Sequence, residues 1–286
     1  AGAATSVILV RRLTVRDHVT HNPVRDSIAS LGEETRRLAP SRPGPASASV
    51  NAPQHEVSTA SRVSPASTEA LLQMNDLAAQ PSSPQSPASS AEQHLARGNS
   101  YFLSREYEKA IMEYSLALQE QPNFPEAYYN RGVAYSGKGD HRQAIEDFTF
   151  AIKFKPDYAR AYNNRGSSYG ELKEYDQAIA DFNHALRLQP NFPEAYYNRG
   201  RVYYRKGEYH RALEDFNRAL SLNPNFSRAY YTRACLCAKE GRFDECYSSL
   251  EKAIRLAPEL LESARTDPDL EQVRQEPRLR ALLKLG

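Results

Sequence analysis

Gln121-Pro-Asn-Phe-Pro-Glu-Ala-Tyr-Tyr-Asn-Arg-Gly132 recurs letter for letter as Gln189 to Gly200, and Lys155-Pro-Asp-Tyr-Ala-Arg-Ala-Tyr-Asn-Asn-Arg-Gly166 stands midway between the two copies. The step from each stretch to the next is 34 residues, and many other positions keep it. Gly98, Gly132, Gly166 and Gly200 fall on that step, as do Tyr101, Tyr135, Tyr169 and Tyr203. Ala110, Ala144, Ala178 and Ala212 follow, then Tyr114, Phe148, Phe182 and Phe216. Ala117, Ala151, Ala185, Ala219 and Ala253 form another series, and Pro122, Pro156, Pro190, Pro224 and Pro258 close the units. A fixed period of this length marks a solenoid, in which each unit buries its apolar face only against its neighbours.

Units counted from Ala91, Pro125, Ala159, Pro193 and Ser227 each predict two helices. Positions 4, 8 and 11 share one face of the first helix, and positions 20, 24 and 27 share one face of the second. Gly or Ala at positions 8, 20 and 27 lets two helices approach closely, while aromatics at 4, 11 and 24 fill the space beside them. Proline at position 32 stops the second helix. Gly137-Lys-Gly-Asp140 and Lys206-Gly-Glu208 read as turns between helices, and Pro125 and Pro193 open helices at a position where a missing N–H is harmless.

Small residues at positions 8, 20 and 27, Tyr at 11 and Pro at 32 on this step resemble the tetratricopeptide repeat. The resemblance spans roughly residues 91–258 and divides them into units 91–124, 125–158, 159–192, 193–226 and 227–260. The fifth unit departs from the pattern, with Ala234 for Gly, Cys237 for Tyr, Cys246 for Ala and Leu250 for Phe. Leu270, Val273, Leu279, Leu282 and Leu283 beyond it suit capping helices over residues 261–286.

The resemblance implies an all-α, right-handed superhelical solenoid whose first helices line a concave groove. It also implies a non-catalytic scaffold that binds an extended protein or peptide segment in that groove. The family's usual contact positions are 2, 5, 6, 9, 12 and 13 of each unit. Position 6 supplies Asn130, Asn164 and Asn198, whose amides can match the C=O and N–H of a peptide backbone as a ladder. Position 5 supplies Tyr129, Asn163, Tyr197 and Tyr231, and position 12 supplies Phe102 and Tyr204, as large anchors for a partner. Position 2 alternates in sign through Glu126, Arg160, Glu194 and Arg228. A groove of mixed sign suits internal segments of a partner rather than a polyanion or a free C-terminus. Arg97, Arg131, Arg165, Arg199 and Arg233 recur at position 7, and Asp147, Asp181 and Asp215 at position 23. These two sets are expected to pair from repeat to repeat.

The first third of the chain reads differently. All 18 Tyr and all 10 Phe lie from Tyr101 onward, so the core belongs to the C-terminal two-thirds. Residues 1–38 form an N-terminal tail with a short strand expected within 5–20 and a helical stripe through Val24, Ile28, Leu31 and Leu38. Residues 39–90 are a Pro/Ser/Ala-rich linker that cannot bury enough apolar surface to offset its ordering entropy. Leu71, Met74 and Leu77 lie on a short helix-compatible island within it.

Several function classes fall away. A net charge of +2, from 37 basic and 35 acidic residues, gives no field that would favour nucleic acid. No apolar run is long enough to span a bilayer. There is no phosphate-binding glycine loop and no HExxH or GxSxG pattern, so neither an enzyme nor a cofactor is expected. Cys235, Cys237 and Cys246 lack the spacing and the fourth ligand of a zinc site, so no metal is expected. Cys237 and Cys246 fall on facing core positions, where a disulfide would fit an exported protein. The chain opens on Ala1, an end left equally by signal-peptide removal, loss of an initiator Met or trimming. The compartment stays open, with the cytoplasm slightly favoured over export. The alternative to a groove for transient clients is a fixed subunit of a larger complex, strapped in place by the tail and linker. Self-assembly into a homo-oligomer is a third arrangement.

Overall fold

The computed structural model describes residues 89–285, and the tail strand, the tail helix and the linker island all lie outside them. The described residues hold twelve α-helices and no strand. Five hairpins come first: α1 (Ser90–Leu103) with α2 (Tyr107–Glu120), α3 (Pro125–Lys138) with α4 (His141–Phe154), and α5 (Ala159–Glu171) with α6 (Tyr175–Leu188). α7 (Pro193–Lys206) pairs with α8 (Tyr209–Leu222), and α9 (Ser227–Lys239) with α10 (Phe243–Leu256). A short α11 (Leu260–Thr266), two 3₁₀ turns (Pro268–Leu270 and Gln272–Gln275) and α12 (Pro277–Leu282) complete the chain.

Local chemistry sets these boundaries. Ser89 accepts from the Glu92 amide while the Glu92 carboxylate accepts from the Ser89 N–H, a reciprocal cap that starts α1. Pro125 and Pro193 occupy the first turns of α3 and α7. Gly139 and Gly207 end those helices in the left-handed region at φ 88° and 78°, which glycine adopts without the Cβ penalty other residues meet there. Arg105 and Lys173 make the corresponding turns at φ 61° and 63° with a side chain present.

Each second helix packs on the first helix of the next hairpin, so the units stack in sequence order. First helices of successive units also touch one another, from α1 to α9, more closely than any pair of second helices does. The first helices therefore form the inner side of the stack. Between the two helices of each unit lie the recurrent aromatics: Tyr114, Phe148, Phe182 and Phe216 are fully buried. The small residue at position 8 is required by that ring. A Cβ on Gly200 would stand 2.8 Å from Phe216 Cε1 and 3.1 Å from Asp215 Cβ. The fifth unit changes both members together, with Ala234 facing a smaller Leu250, both fully buried. Gly200→Ala is therefore expected to cost about 1–3 kcal/mol by overpacking. Adding Phe216→Leu should recover at least about 1 kcal/mol of coupling in a double-mutant cycle read by denaturant unfolding. Strict additivity would show that ring and glycine are independent.

The arginines of position 7 fasten the units. Arg131, Arg165 and Arg199 each grip the Asp sixteen residues on with two nitrogens, at 2.7–2.8 Å. This pairing lies within one unit, which corrects the expectation of ion pairs from repeat to repeat. The remaining nitrogen makes the inter-repeat link: Nη1 of Arg131 donates to Ser115 and that of Arg165 to Thr149, each at 3.0 Å. One fork thus closes its own hairpin and ties it to the preceding second helix.

The C-terminal segment covers the last hairpin. Leu270, Val273 and Leu283 are fully buried and Leu279 nearly so, against Ala234, Cys235 and Leu250. Cys235, Cys237 and Cys246 are free thiols inside that cluster. Burial pushes the Cys246 thiol up to about 12, which keeps it protonated and unreactive.

Candidate partner-binding face

Positions 2, 5, 6, 9, 12 and 13 of α1, α3, α5, α7 and α9 are those expected at the inner face, and the side chains there divide into three groups. The first group is core. Tyr129 is 1% exposed, its ring 4.9 Å from Tyr158 and 5.8 Å from Phe148. Tyr197 is 4% exposed and packs against Phe216 and Phe226 in the same way. Phe102 is buried against Tyr107, and Asn163 is buried as well. The expectation that Tyr129, Tyr197 and Phe102 stand free as anchors is corrected: the position-5 rings pack within their own units. Tyr129 meets Phe148 and Tyr158, Tyr197 meets Phe216 and Phe226, and their hydroxyls reach the next unit, at Asn164 and Thr232.

The second group is the amides, which bond to one another across the first helices. Asn130 donates through Nδ2 to Asn99 Oδ1 at 2.9 Å, and Asn99 Oδ1 also accepts from the Tyr114 hydroxyl. Asn198 donates to Asn163 Oδ1 at 3.2 Å, Asn163 to Asn164 Oδ1 at 3.0 Å, and Asn164 to the Tyr129 hydroxyl at 3.0 Å. These bonds stitch neighbouring units, and they use one amide hydrogen of each residue. Asn130 is itself buried, and its Oδ1 has no partner among the described residues. Asn164 is half-buried, and Asn198, though buried, borders a cleft. Of the three, Asn164 is the amide most open to a foreign chain.

The third group is polar and open. At position 2, Glu126 lies 3.5 Å from Lys155, and Arg160, Glu194 and Arg228 are half-buried at their helix starts. Between the third and fourth units lies a shallow cleft bordered by Ser167, Gly170, Glu171, Asn198, Arg201 and Arg205. Position 12 is Gly170 in α5, where a Cβ would stand 3.3 Å from Val202 Cγ2, and Tyr204 in α7. The Glu171 carboxylate sits between two guanidinium groups, 3.5 Å from Arg201 and 3.3 Å from Arg205. Arg205 also donates to the Gly170 carbonyl at 3.2 Å. Arg201 and Arg205 do not recur from unit to unit, so a reading by period passes over them.

One unit further on, the chain's own C-terminal segment occupies the same face. Tyr231 donates to Asp267 at 2.7 Å and Tyr204 to Asp269 at 2.5 Å. Lys239 lies 2.7 Å from Asp269. Tyr204 and Tyr231 are thus engaged within the molecule.

A stack of helix hairpins on a 34-residue step, with an inner wall of first helices, is a helical-repeat solenoid that acts as a protein-interaction scaffold. The chain belongs to the tetratricopeptide repeat family. Models described as tetratricopeptide repeat match residues 125–158 and 193–226, and 227–260. A model described as TPR repeat matches 98–139 and 168–207, and the three together cover more than half the chain. Repeats of this family are generally non-catalytic. No curated protein sequence matches the chain. Among solved structures, MamA is 27% identical with a TM-score of 0.51, over 58% of this chain and 96% of that one. TTC0263, a thermophilic TPR protein of Thermus thermophilus, is 26% identical with a TM-score of 0.53, over 68% and 99%. PilW, a type IV pilus biogenesis factor, is 21% identical with a TM-score of 0.57 over 69% and 100%, a likeness of fold alone. Among the described residues no helix is long and apolar enough to cross a membrane.

Proposed function

We propose that the chain binds an extended segment of a partner protein along its inner face, centred on the cleft between the third and fourth units. The observation that supports this most is the cleft itself, where Arg201 and Arg205 meet the Glu171 carboxylate and the Gly170 carbonyl only at 3.2–3.5 Å, and Asn198 stands at the border. Asn164 and Asn198 are the rungs proposed to meet the partner's backbone, with Glu126, Arg160, Glu194 and Arg228 along the edge. Each neutral hydrogen bond adds only about 0.5–1.5 kcal/mol net, so several must act together for micromolar affinity.

Ser167→Trp fills the cleft without touching the arginine–aspartate forks. Proteins recovered on the immobilised wild-type chain should fall at least about tenfold with this variant, a loss of about 1.4 kcal/mol. Met112, exposed on α2, provides the control: Met112→Trp should leave recovery unchanged. Equal recovery by both variants, each with wild-type helicity and melting, removes the inner face from the reading.

A further inference from the structure

We infer that the cleft between the third and fourth units recognises side-chain carboxylates, so that the segment bound there is an acidic, extended peptide. This rests on the inner-face reading and adds the chemical class of the partner. Two observations carry it, and they are independent of one another.

The first is an imbalance of charge in the cleft. Two guanidinium groups converge on one carboxylate, that of Glu171, and neither contact is short: 3.5 Å for Arg201 and 3.3–3.4 Å for Arg205. A well-seated guanidinium–carboxylate fork has N–O distances of about 2.7–2.9 Å, as the buried pairs of this chain do. Five N–H donors on each arginine exceed what one carboxylate and the Gly170 carbonyl accept. Arg201 is braced over the Tyr197 ring at 5.8 Å, and Arg205 is anchored by the Gly170 carbonyl, so both heads are held at the cleft before any ligand arrives. Charged donors held in place without their full complement of acceptors favour an incoming carboxylate.

The second observation is what the molecule itself seats on the adjoining stretch of this face. Asp267 is extended, at φ −65° and ψ 120°, and caps the 3₁₀ turn that carries Asp269. Asp267 and Asp269 point their carboxylates at Tyr231, Tyr204 and Lys239. Tyr204 and Arg205 are successive residues of α7 that face opposite neighbours, Tyr204 the C-terminal segment and Arg205 the end of α5, so carboxylates are met on both sides of this helix. The later side already holds an acidic segment containing a proline, by a cation and phenol hydroxyls. The arginine pair offers a cationic counterpart one unit earlier. Glu171 acts there as a weak internal competitor.

The test uses the full chain and two labelled pentapeptides: Asp-Pro-Asp-Leu-Glu, the sequence of residues 267–271, and its neutral counterpart Asn-Pro-Asn-Leu-Gln. Binding is read by fluorescence anisotropy at low salt. The acidic peptide should bind and the neutral one should not. Arg201→Gln with Arg205→Gln should weaken binding about tenfold or more, since hydrogen bonds to charged groups contribute about 1.5–3 kcal/mol each. Arg201→Lys with Arg205→Lys should keep most of it, and Glu171→Gln should tighten it about threefold by removing the competing carboxylate. The inference is overturned if neither peptide binds, if both bind alike, or if the double Gln variant binds as wild type does. Recovered partner proteins separate the two readings. Loss with Ser167→Trp but not with the double Gln variant leaves the inner face standing and discards the acidic class. Retention with both discards the two together.

Discussion

Arg131→Ala is expected to destabilise the chain by about 3–5 kcal/mol, the largest loss from any single polar substitution in the repeats. The guanidinium holds Asp147 through Nε at 2.8 Å and Nη2 at 2.7 Å, reaches Ser115 at 3.0 Å, and lies over the Tyr128 ring at 5.6 Å. Asp147 is 4% exposed. Burial pushes its carboxyl up and Arg131 pulls it back down, so the intact pair does little better than offset its own desolvation. Removing the arginine removes the compensation and leaves the burial. The net worth of the pair is therefore small, while the cost of breaking it is large. Arg131→Met with Asp147→Leu should consequently lie within about 1–2 kcal/mol of wild type, because no buried charge remains. Arg278 and Asp244 provide the contrast, at 3.1 Å but with both side chains well exposed. Arg278→Ala should cost less than about 1 kcal/mol. Denaturant unfolding of these variants decides the matter. Equal losses for Arg131→Ala and Arg278→Ala would mean that burial does not set the cost.

The repeat is legible because its spacing reports a physical constraint. Each Gly at position 8 faces a ring at position 24, so the two recur together, and where Leu250 replaces the ring Ala234 replaces the glycine. The helix ends are legible for a similar reason: Pro125, Gly139, Pro193 and Gly207 each meet a backbone requirement that few other residues satisfy. Spacing says which residues share a position. It does not say which neighbour that position faces. The family resemblance implies Tyr129 and Tyr197 as inner-face anchors, whereas both rings pack on aromatics of their own units. The signal that corrects this is the aromatic series Phe124, Tyr158, Phe192 and Phe226, which keeps the same 34-residue step and gives position 5 something to pack on.

The cleft is illegible for the opposite reason. Position 9 reads Asn99, Val133, Ser167, Arg201, Cys235, and position 13 reads Leu103, Gly137, Glu171, Arg205, Lys239. Nothing recurs, so a search for recurrence discards both. Yet a face that binds one partner needs different chemistry at each step along its length, since a uniform wall could not fix the register of the bound chain. Positions held constant build the stack, and in the proposed function the positions that vary at the inner wall carry its specificity. Asn130, Asn164 and Asn198 recur because they serve the first purpose, bonding one unit to the next.

Raising the pH through the phenol range is expected to loosen the chain from its C-terminal end. Tyr129 has its phenol pushed up to about 12 from an ordinary 10.0, by burial first, with Arg160 and Asn164 pulling the other way. Burial raises Tyr114 and Tyr158 further still. These groups ionise near 10 once unfolded. An acid whose folded pKa is raised contributes stability that is complete below its unfolded value and lost as the pH climbs toward the folded one. At about 1.4 kcal/mol per pH unit, Tyr129 alone withdraws roughly 3 kcal/mol by pH 12. The C-terminal segment faces a further cost. Tyr204 and Tyr231 are raised by burial first, then Tyr204 by Asp269, to which it donates, and Tyr231 by Cys235 and by Asp267, to which it donates, with Cys235 also adding to Tyr204. A phenolate cannot donate, and it repels the carboxylate it once held. Residues 260–285 should therefore lose amide-exchange protection before the hairpins do. Phenolate absorbance should show part of the 18 tyrosines titrating near 10 and the rest in one cooperative step together with loss of helix signal. Tyr204→Phe with Tyr231→Phe removes the repulsion, so the segment should then release together with the hairpins instead of ahead of them. Titration of every tyrosine near 10 with the helices intact would show that the inner rings are reached by water without unfolding, and the buried aromatic layer could not then be what holds the units together.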